Sequence, residues 1–386
     1  MATTWIFSAL DTLFFRDGQP MNMGESAWID SRFPPTGITL QGAVRAAVLD
    51  HLKADVRAFQ QGDSCLSGDK SLKAVMGDAT GIGPMRLSGP FLHYRGEPWL
   101  PVPLDLVRTR RGELTLLRPR DEAVRCDLGR IRLPAAPAEG KPLGGRYLPR
   151  SALARLLRGE ARLESDEHLP LLADAPTAPG LADREPKIGL ARDNRTRTNL
   201  RSMLYAIAPI RPRPGVTLRL GVEGLEKLDA EWHPKGPFPQ LLGGEKRLAR
   251  VEIREGAITW PPPALQEQEG RLRFKLVLIT PALFPPPGWL PAGFEKQRRA
   301  GFDCWHGKMG SATFDILGAA VGHPERIGGW NLKENRSHEL KSYLPAGSVL
   351  FCEAEAKQRQ AVEALHDTHV GEMTEYGFGH VLIGQW

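Results

Sequence analysis

Any chemistry in this chain falls to a few histidines near its end. His366 and His369 stand three apart in HDTH, and His380 follows in EYGFGHVLIG. On a helix the first two would share a face. No carboxylates or cysteines at ligand spacing accompany them, so the pair reads as surface histidines rather than metal ligands. The sequence contains no G-x-S-x-G nucleophile elbow, no H-E-x-x-H zinc motif and no P-loop. A metal-independent ribonuclease needs only a general base and a general acid around a phosphodiester, and His380 is the single candidate for the base. A lone histidine is not a catalytic set, so no catalytic residue, metal or cofactor is expected.

The glycines around His380 raise a second possibility. Gly377, Gly379 and Gly384 lie within ten residues of the C-terminal Trp386. A dinucleotide fingerprint would need glycine where Leu382 stands, with a strand before it and a helix after it. Here a helix-like stretch precedes the glycines, and only Gln385 and Trp386 follow Gly384. What remains is a glycine loop beside a final strand. Its amides could form a concave anion site, or its glycines could serve a tight turn and close packing. Phe378 and His380 would then either stack on a base or close the core.

Basic side chains are concentrated elsewhere. The net charge is +6, and from Arg184 to Arg219 nine Lys or Arg stand against two acids, Glu185 and Asp193. From Arg108 to Arg132 eight arginines stand against four acids. Within the first stretch, the strand-like KIGLAR and NLRSMLYAIAPI flank the polar RDNRTRTN. The pattern predicts a β-hairpin with a cationic tip at Arg192, Arg195 and Arg197. Arginine's planar fork suits phosphate oxygens, and Asn194 adds a polar edge contact. An ordinary salt-bridged surface hairpin is the competing reading.

Elements must position these groups. With 386 residues, 41% hydrophobic and 25% charged, the chain has enough apolar surface for one core and more readily two. No apolar run reaches the roughly 18 residues of a membrane span. MATTWIFSALDTLFF lacks a basic leader and reads as a first strand, which points to the cytoplasm. Cys65, Cys126, Cys304 and Cys352 are scattered, which predicts reduced thiols rather than disulfides or a zinc site. Forty-one glycines and 33 prolines predict short strands with elaborated loops, as at 135–145, 171–186, 261–270 and 285–293. WIFSAL, RLRFKLVLIT, SVLFCEAEA and HVLIG read as strands. Thr39 could cap a helix whose apolar face is Leu40, Val44, Ala47, Val48 and Leu52, and 357–367 a second helix. A strand, a helix and a strand near each end predict an α+β fold with helices on one face of antiparallel sheets. The expectation is two ferredoxin-like (RRM-like) domains. The first spans 1–215 with the hairpin inserted at about 185–210, and the second spans 216–386 and ends in the glycine-rich loop.

Four segments together carry a resemblance. LDTLFFRDGQPM with FPPTGITLQGAVRAAVL, then KIGLARDNRTRTNLRSMLY, then QLLGGEKRLARV with GGWNLKENRSHELKSYLPAGSVLF, and finally EYGFGHVLIG occur in order along nearly the whole chain. The set resembles the RAMP (repeat-associated mysterious protein) superfamily of CRISPR-associated proteins, and within it the third subunit of the type III-B Cmr effector complex. The resemblance implies two RRM-like folds and a non-catalytic role gripping the 5′ handle of crRNA. It implies partners in a hetero-oligomer: the large polymerase/cyclase-like subunit and a backbone RAMP subunit. It carries RNA contact onto Arg192, Asn194, Arg195 and Arg197 in the hairpin, onto Gly377, Phe378, Gly379 and His380 in the loop, and onto Gln41 and Arg45 in the first helix. No K/R-G-F/Y-G/A-F-V-x-F/Y run is present, so stacking of bases on a sheet surface is not expected. A metal-independent endoribonuclease acting on precursor crRNA through His380, and a protein-docking scaffold, are the alternatives.

Overall fold

The computed structural model describes residues 2–16, 28–61, 72–77, 81–164, 167–173, 180–226, 228, 234, 236–331, 334 and 336–386, and side chains except those of 28, 60, 61, 73, 191, 192, 199–204 and 331. The turn at RDGQP beyond Arg16, Cys65 and loop residues 174–179 lie outside these. The chain divides into two compact units, each built from three segments: 1–96, 171–258 and 326–341 in the first, 97–170, 259–325 and 342–386 in the second. This differs from the single cut expected at residue 215. Residues 97–170 belong with the second unit, and 216–258 with the first.

Strand pairing explains the difference. The first unit contains β1 (Thr3–Ala9), α1 (Gly37–His51), β2 (Arg86–Tyr94), β3 (Lys187–Arg192), β4 (Asn199–Ala208), β5 (Thr217–Glu223), β6 (Phe238–Leu241) and β7 (Leu248–Glu255). Five of these strands form an antiparallel run in the order β2-β5-β1-β7-β6. β1 is central, so Trp5, Ile6 and Phe7 are all buried, as a strand covered on both faces requires. Its two neighbours, β5 and β7, both come after residue 215. α1 covers the sheet with Leu40, Val44, Ala47 and Val48. Its N-cap position is Thr36, in extended conformation, rather than Thr39.

In the second unit β8 (Arg271–Leu278), β9 (Phe294–Arg299), β10 (Phe302–Met309), β11 (Ala312–Ala320), β12 (Val349–Glu355), β13 (Thr368–His369) and β14 (His380–Gly384) pair in the order β9-β10-β11-β12-β8-β14-β13. Every pairing is antiparallel. α2 (Arg359–Glu363) is shorter than the helix expected over 357–367, and a 3₁₀ turn precedes it. The two units share an arrangement that no sequence repeat announces. By chain order, β2-β5-β1-β7 and β11-β12-β8-β14 both run second, third, first, fourth. The α+β class stands, with strands far outnumbering helices.

β8 follows its expected alternation on one face. Leu272, Phe274, Leu276 and Leu278 enter a core with Phe314, Ile316 and Ile383. Opposite, Arg271 reaches Asp315 and Glu353, and Arg273 reaches Glu353. Lys275 departs from the half-buried reading. It is 1% exposed, and its ammonium pairs with an equally buried Asp105. Cys126, Cys304 and Cys352 are free thiols, the last two buried.

Candidate nucleic-acid interface

The basic stretch folds as a hairpin. β3 and β4 pair antiparallel, with Ile188 opposite Ala206, Gly189 opposite Tyr205 and Arg192 opposite Asn199. A register shift follows Leu190, a bulge that twists the strand as it nears the tip. Residues 28–30 add a parallel third strand against β4.

The tip is closed by backbone and by one carboxylate. The Asp193 N–H donates to the Thr198 carbonyl (2.9 Å) and the Arg197 N–H to the Asp193 carbonyl (2.8 Å). The Asp193 side chain accepts from the Arg195 N–H at 2.7 Å and the Thr196 N–H at 3.4 Å, an Asx turn. These amide bonds hold the Asp193 carboxyl below the usual range. Arg197 takes a positive φ of 58°, and Thr196 and Thr198 hydroxyls bond at 2.8 Å. Asp193, counted in the sequence only as an acid offsetting charge, is the residue that shapes the turn. The signal was its position ahead of Asn194, where Asx turns begin.

The structure separates two groups among these basic residues. At the hairpin base Arg211 pairs with Glu185 and Asp11, Arg213 with Asp183 at 3.2 Å, Arg184 with Asp30 at 3.8 Å, and Lys187 with Glu185 at 3.9 Å. Arg247 also reaches Asp11, at 3.2 Å. The carboxylates on Arg211 raise its pKa further, and that guanidinium in turn lowers those of Glu185 and Asp11. Three of these acids lie outside the 184–219 window, so a count within it overstated the imbalance. At the tip Asn194, Arg195 and Arg197 are exposed, and neither arginine has an ion-pair partner among the described residues. The Arg192 side chain lies outside those described. Below the tip, Ile188 is 75% and Leu190 55% exposed. With alternating residues on one face of a strand, they make an apolar edge beside the cationic turn.

The glycine loop is built differently from the expected anion site. Gly377 and Gly379 have φ of 84° and 71°, so both need a left-handed backbone. A Cβ on Gly379 would collide with the Val370 carbonyl, and one on Gly384 would lie 2.9 Å from Leu157 Cα. The Gly377 N–H donates to Thr374 (3.0 Å), the Gly379 N–H to Pro281 (2.7 Å) and the His380 N–H to Thr280 Oγ1 (2.9 Å). Those amides are therefore not available to an anion. Phe378 is 3% exposed and packs on Tyr343 at 4.7 Å; His380 is 0% exposed. Its Nε2 bonds Asp367 at 2.7 Å, and its ring lies 4.4 Å from that of His369. The glycines and these two side chains serve packing because β14 is buried on both faces.

His366 and His369 do not share a helix face. His366 lies beyond α2, and His369 in β13 pairs with His380. Among the described residues no group of three or more His, Cys, Asp or Glu is placed to hold a metal ion. Burial, with the neighbouring His380, pushes the His369 pKa from 6.5 down to about 3, and burial also lowers that of His366. A native imidazole that resists protonation binds fewer protons than the unfolded one. Stability is then full above pH 6.5 and falls as pH drops toward 3. Between pH 7 and 4 we expect a loss of roughly 3 kcal/mol from this group. Urea unfolding at both pH values checks it, and His369→Gln should remove that part of the slope.

Gln41 and Arg45 occupy α1 as expected. Gln41 is buried, without a hydrogen-bond partner for its Nε2 among the described residues. The Arg45 guanidinium donates to the Met76 carbonyl (2.6 and 3.0 Å) and to that of Gly81 (2.6 Å), tying down the segment that follows α1. No helix of the described residues is long and apolar enough to cross a membrane.

A comparison with curated proteins gives no match. Among solved structures the chain is similar to a chain of the type III-B Cmr-beta complex bound to cognate target RNA, at 13% identity and a TM-score of 0.49, over 98% of this chain and 96% of that one. A second, Cmr-beta with cognate target RNA and AMPPnP, gives 14%, 0.48, 94% and 88%. A third, the Csm3-Csm4 subcomplex of a type III-A interference complex, gives 11%, 0.39, 90% and 92%. These are likenesses only. The family model described as CRISPR-associated protein (Cas_Cmr3) matches residues 5–386, almost the whole chain, and this chain belongs to that family.

Proposed function

We propose that this chain is a non-catalytic RNA-binding subunit of a type III-B CRISPR interference complex. It grips the 5′ handle of crRNA and joins the large polymerase/cyclase-like subunit to the backbone RAMP subunit, as a hetero-oligomer without a cofactor. Its two units are read as ferredoxin-like domains, on the shared second-third-first-fourth strand order.

One observation carries the RNA reading. Arg195 and Arg197 project from a backbone-locked turn without counter-charge among the described residues. The arginines at the hairpin base, by contrast, are matched with acids. Free guanidinium forks on a positioned turn suit phosphate oxygens, and the adjoining Ile188 and Leu190 edge suits an unstacked base. RNA contact is accordingly placed at Asn194, Arg195 and Arg197 with Arg192 beside them, while Gly377, Phe378, Gly379 and His380 support the last strand.

The endoribonuclease alternative rests on His380. A general base must come within hydrogen-bonding reach of the proton it takes, and this imidazole is enclosed and already bonded to Asp367. The test incubates the full chain with labelled RNA carrying the repeat-derived 5′ handle, or a scrambled control, in EDTA across a salt series. Gel shift reads binding, and a denaturing gel reads RNA length. Intact RNA with handle-preferring binding is expected. Shortened RNA that stays intact with His380→Gln would replace this reading with the nuclease.

A further inference from the structure

The second basic stretch, Arg108 to Arg132, is not absorbed by the hairpin. Arg108 lies on the short strand Leu106–Thr109, and Arg146 opens the strand Arg146–Pro149. Arg146 pairs in register with Pro170, which brings His168 between the two arginines. Arg108 Nη2 is 3.3 Å from His168 Nε2, and Arg146 Nη1 is 3.0 Å from Nδ1. Arg108 and His168, with Arg162, line an open cavity of about 490 Å³. His168 is 7% exposed.

Among the described residues this arrangement is electrostatically incomplete. A neutral imidazole has one acceptor nitrogen and one N–H, and guanidinium does not give up its proton. Two guanidiniums on the two ring nitrogens therefore leave one contact with N–H facing N–H. No carboxylate pairs with Arg108, Arg146 or Arg162 among the described residues. The adjacent Glu167 has both oxygens on Arg155 at 2.6 Å. Burial, then Arg146 and Arg108, lower the His168 pKa, with Glu167 opposing weakly. A second cavity of about 570 Å³, also lined by Ala161, adds Arg118 and Arg120, with Asp121.

We propose that Arg108, Arg146 and His168 form a phosphate-binding site, separate from the hairpin. A phosphate group with two negative charges would bridge the guanidinium forks, relieve their repulsion and draw a proton onto His168. Double charge and multiple acceptor oxygens favour phosphate over a carboxylate, which supplies one charge to two arginines and an imidazole. The adjoining Arg118 and Arg120 suit an extended phosphate chain, whether a free polyphosphate or an RNA backbone.

Calorimetric titration of the full chain with inorganic pyrophosphate near pH 6.5, in two buffers of different ionisation enthalpy, tests this. We expect one saturable site with net proton uptake. Arg108→Ala, an exposed position that leaves packing intact, should weaken it by at least about tenfold, the worth of one charged hydrogen bond. His168→Gln should abolish the proton uptake. Arg195→Ala with Arg197→Ala should leave pyrophosphate binding unchanged, which separates this site from the hairpin. Displacement of pyrophosphate by RNA would identify a nucleic-acid phosphate; no displacement would identify a free phosphate compound. Either upholds the site. Unchanged affinity in Arg108→Ala, no saturable heat from folded protein, or displacement by polyglutamate as readily as by pyrophosphate would overturn it.

Discussion

Replacing Arg195 and Arg197 together by alanine is expected to weaken handle-RNA binding by about 10- to 100-fold, taking each charged contact at an exposed tip as worth up to one decade. The salt dependence should flatten as well. Two phosphate contacts to a single strand contribute a slope of about 1.4 in log K against log salt, at about 0.7 per contact, and the double variant should lose that amount. Stability should hardly change, because both side chains are exposed and unpaired among the described residues. Lysine at both positions should recover part of the affinity but not all, since it keeps charge without the planar fork. Anisotropy titrations across a salt series read both quantities. An unchanged slope in a folded double variant would remove the hairpin tip from the interface. Arg211→Ala makes an informative contrast. Its guanidinium is engaged by Glu185 and Asp11, so it should loosen the hairpin base rather than remove a phosphate contact.

Lys275→Met should cost about 3–5 kcal/mol of stability, the usual penalty for leaving a buried charge alone. Asp105 would be left alone in an enclosed position where one of its oxygens already lacks a partner among the described residues. Adding Asp105→Leu should restore most of the loss, because replacing both members of a buried pair by apolar groups is often neutral. Urea denaturation of the two single variants and the double variant measures this coupling. Two single losses that add without recovery would mean that the pair does not interact as the geometry implies. RNA binding by the hairpin, built from the other unit, should be unaffected by the double variant, which keeps the two experiments independent.

Local signals carried much of this protein. The alternation in 271–278 located β8, HVLIG located β14, and the polar, basic run between two apolar stretches located the hairpin with its tip. Period-two patterning works at such sites because one face is buried and the other is not. The division of the chain was not legible at that level. β1 is completed by β5 and β7 from beyond residue 215, and nothing in a window of ten residues reports a pairing across more than 200.

The histidines and glycines show the same limit from another side. Residue type made His380 a candidate base and the glycine loop a candidate phosphate cradle. Burial on both faces of β14, the Val370 carbonyl against Gly379 and the Thr280, Pro281 and Thr374 acceptors assign them to packing instead. Charge counting failed in a similar way, since Asp11, Asp30 and Asp183 come from outside the counted window to match the basal arginines.

By itself, then, the sequence determined the strand-rich α+β class, the hairpin and its cationic tip, and the family to which the chain belongs, because each is written in local pattern or in ordered motifs. Only the tertiary structure decided which arginines are neutralised and which have no counter-charge among the described residues, which glycines serve packing, and that Arg108, Arg146 and His168 meet. Those outcomes depend on distances between residues far apart in the chain, where burial and counter-charge, not residue type, set what a side chain is able to do.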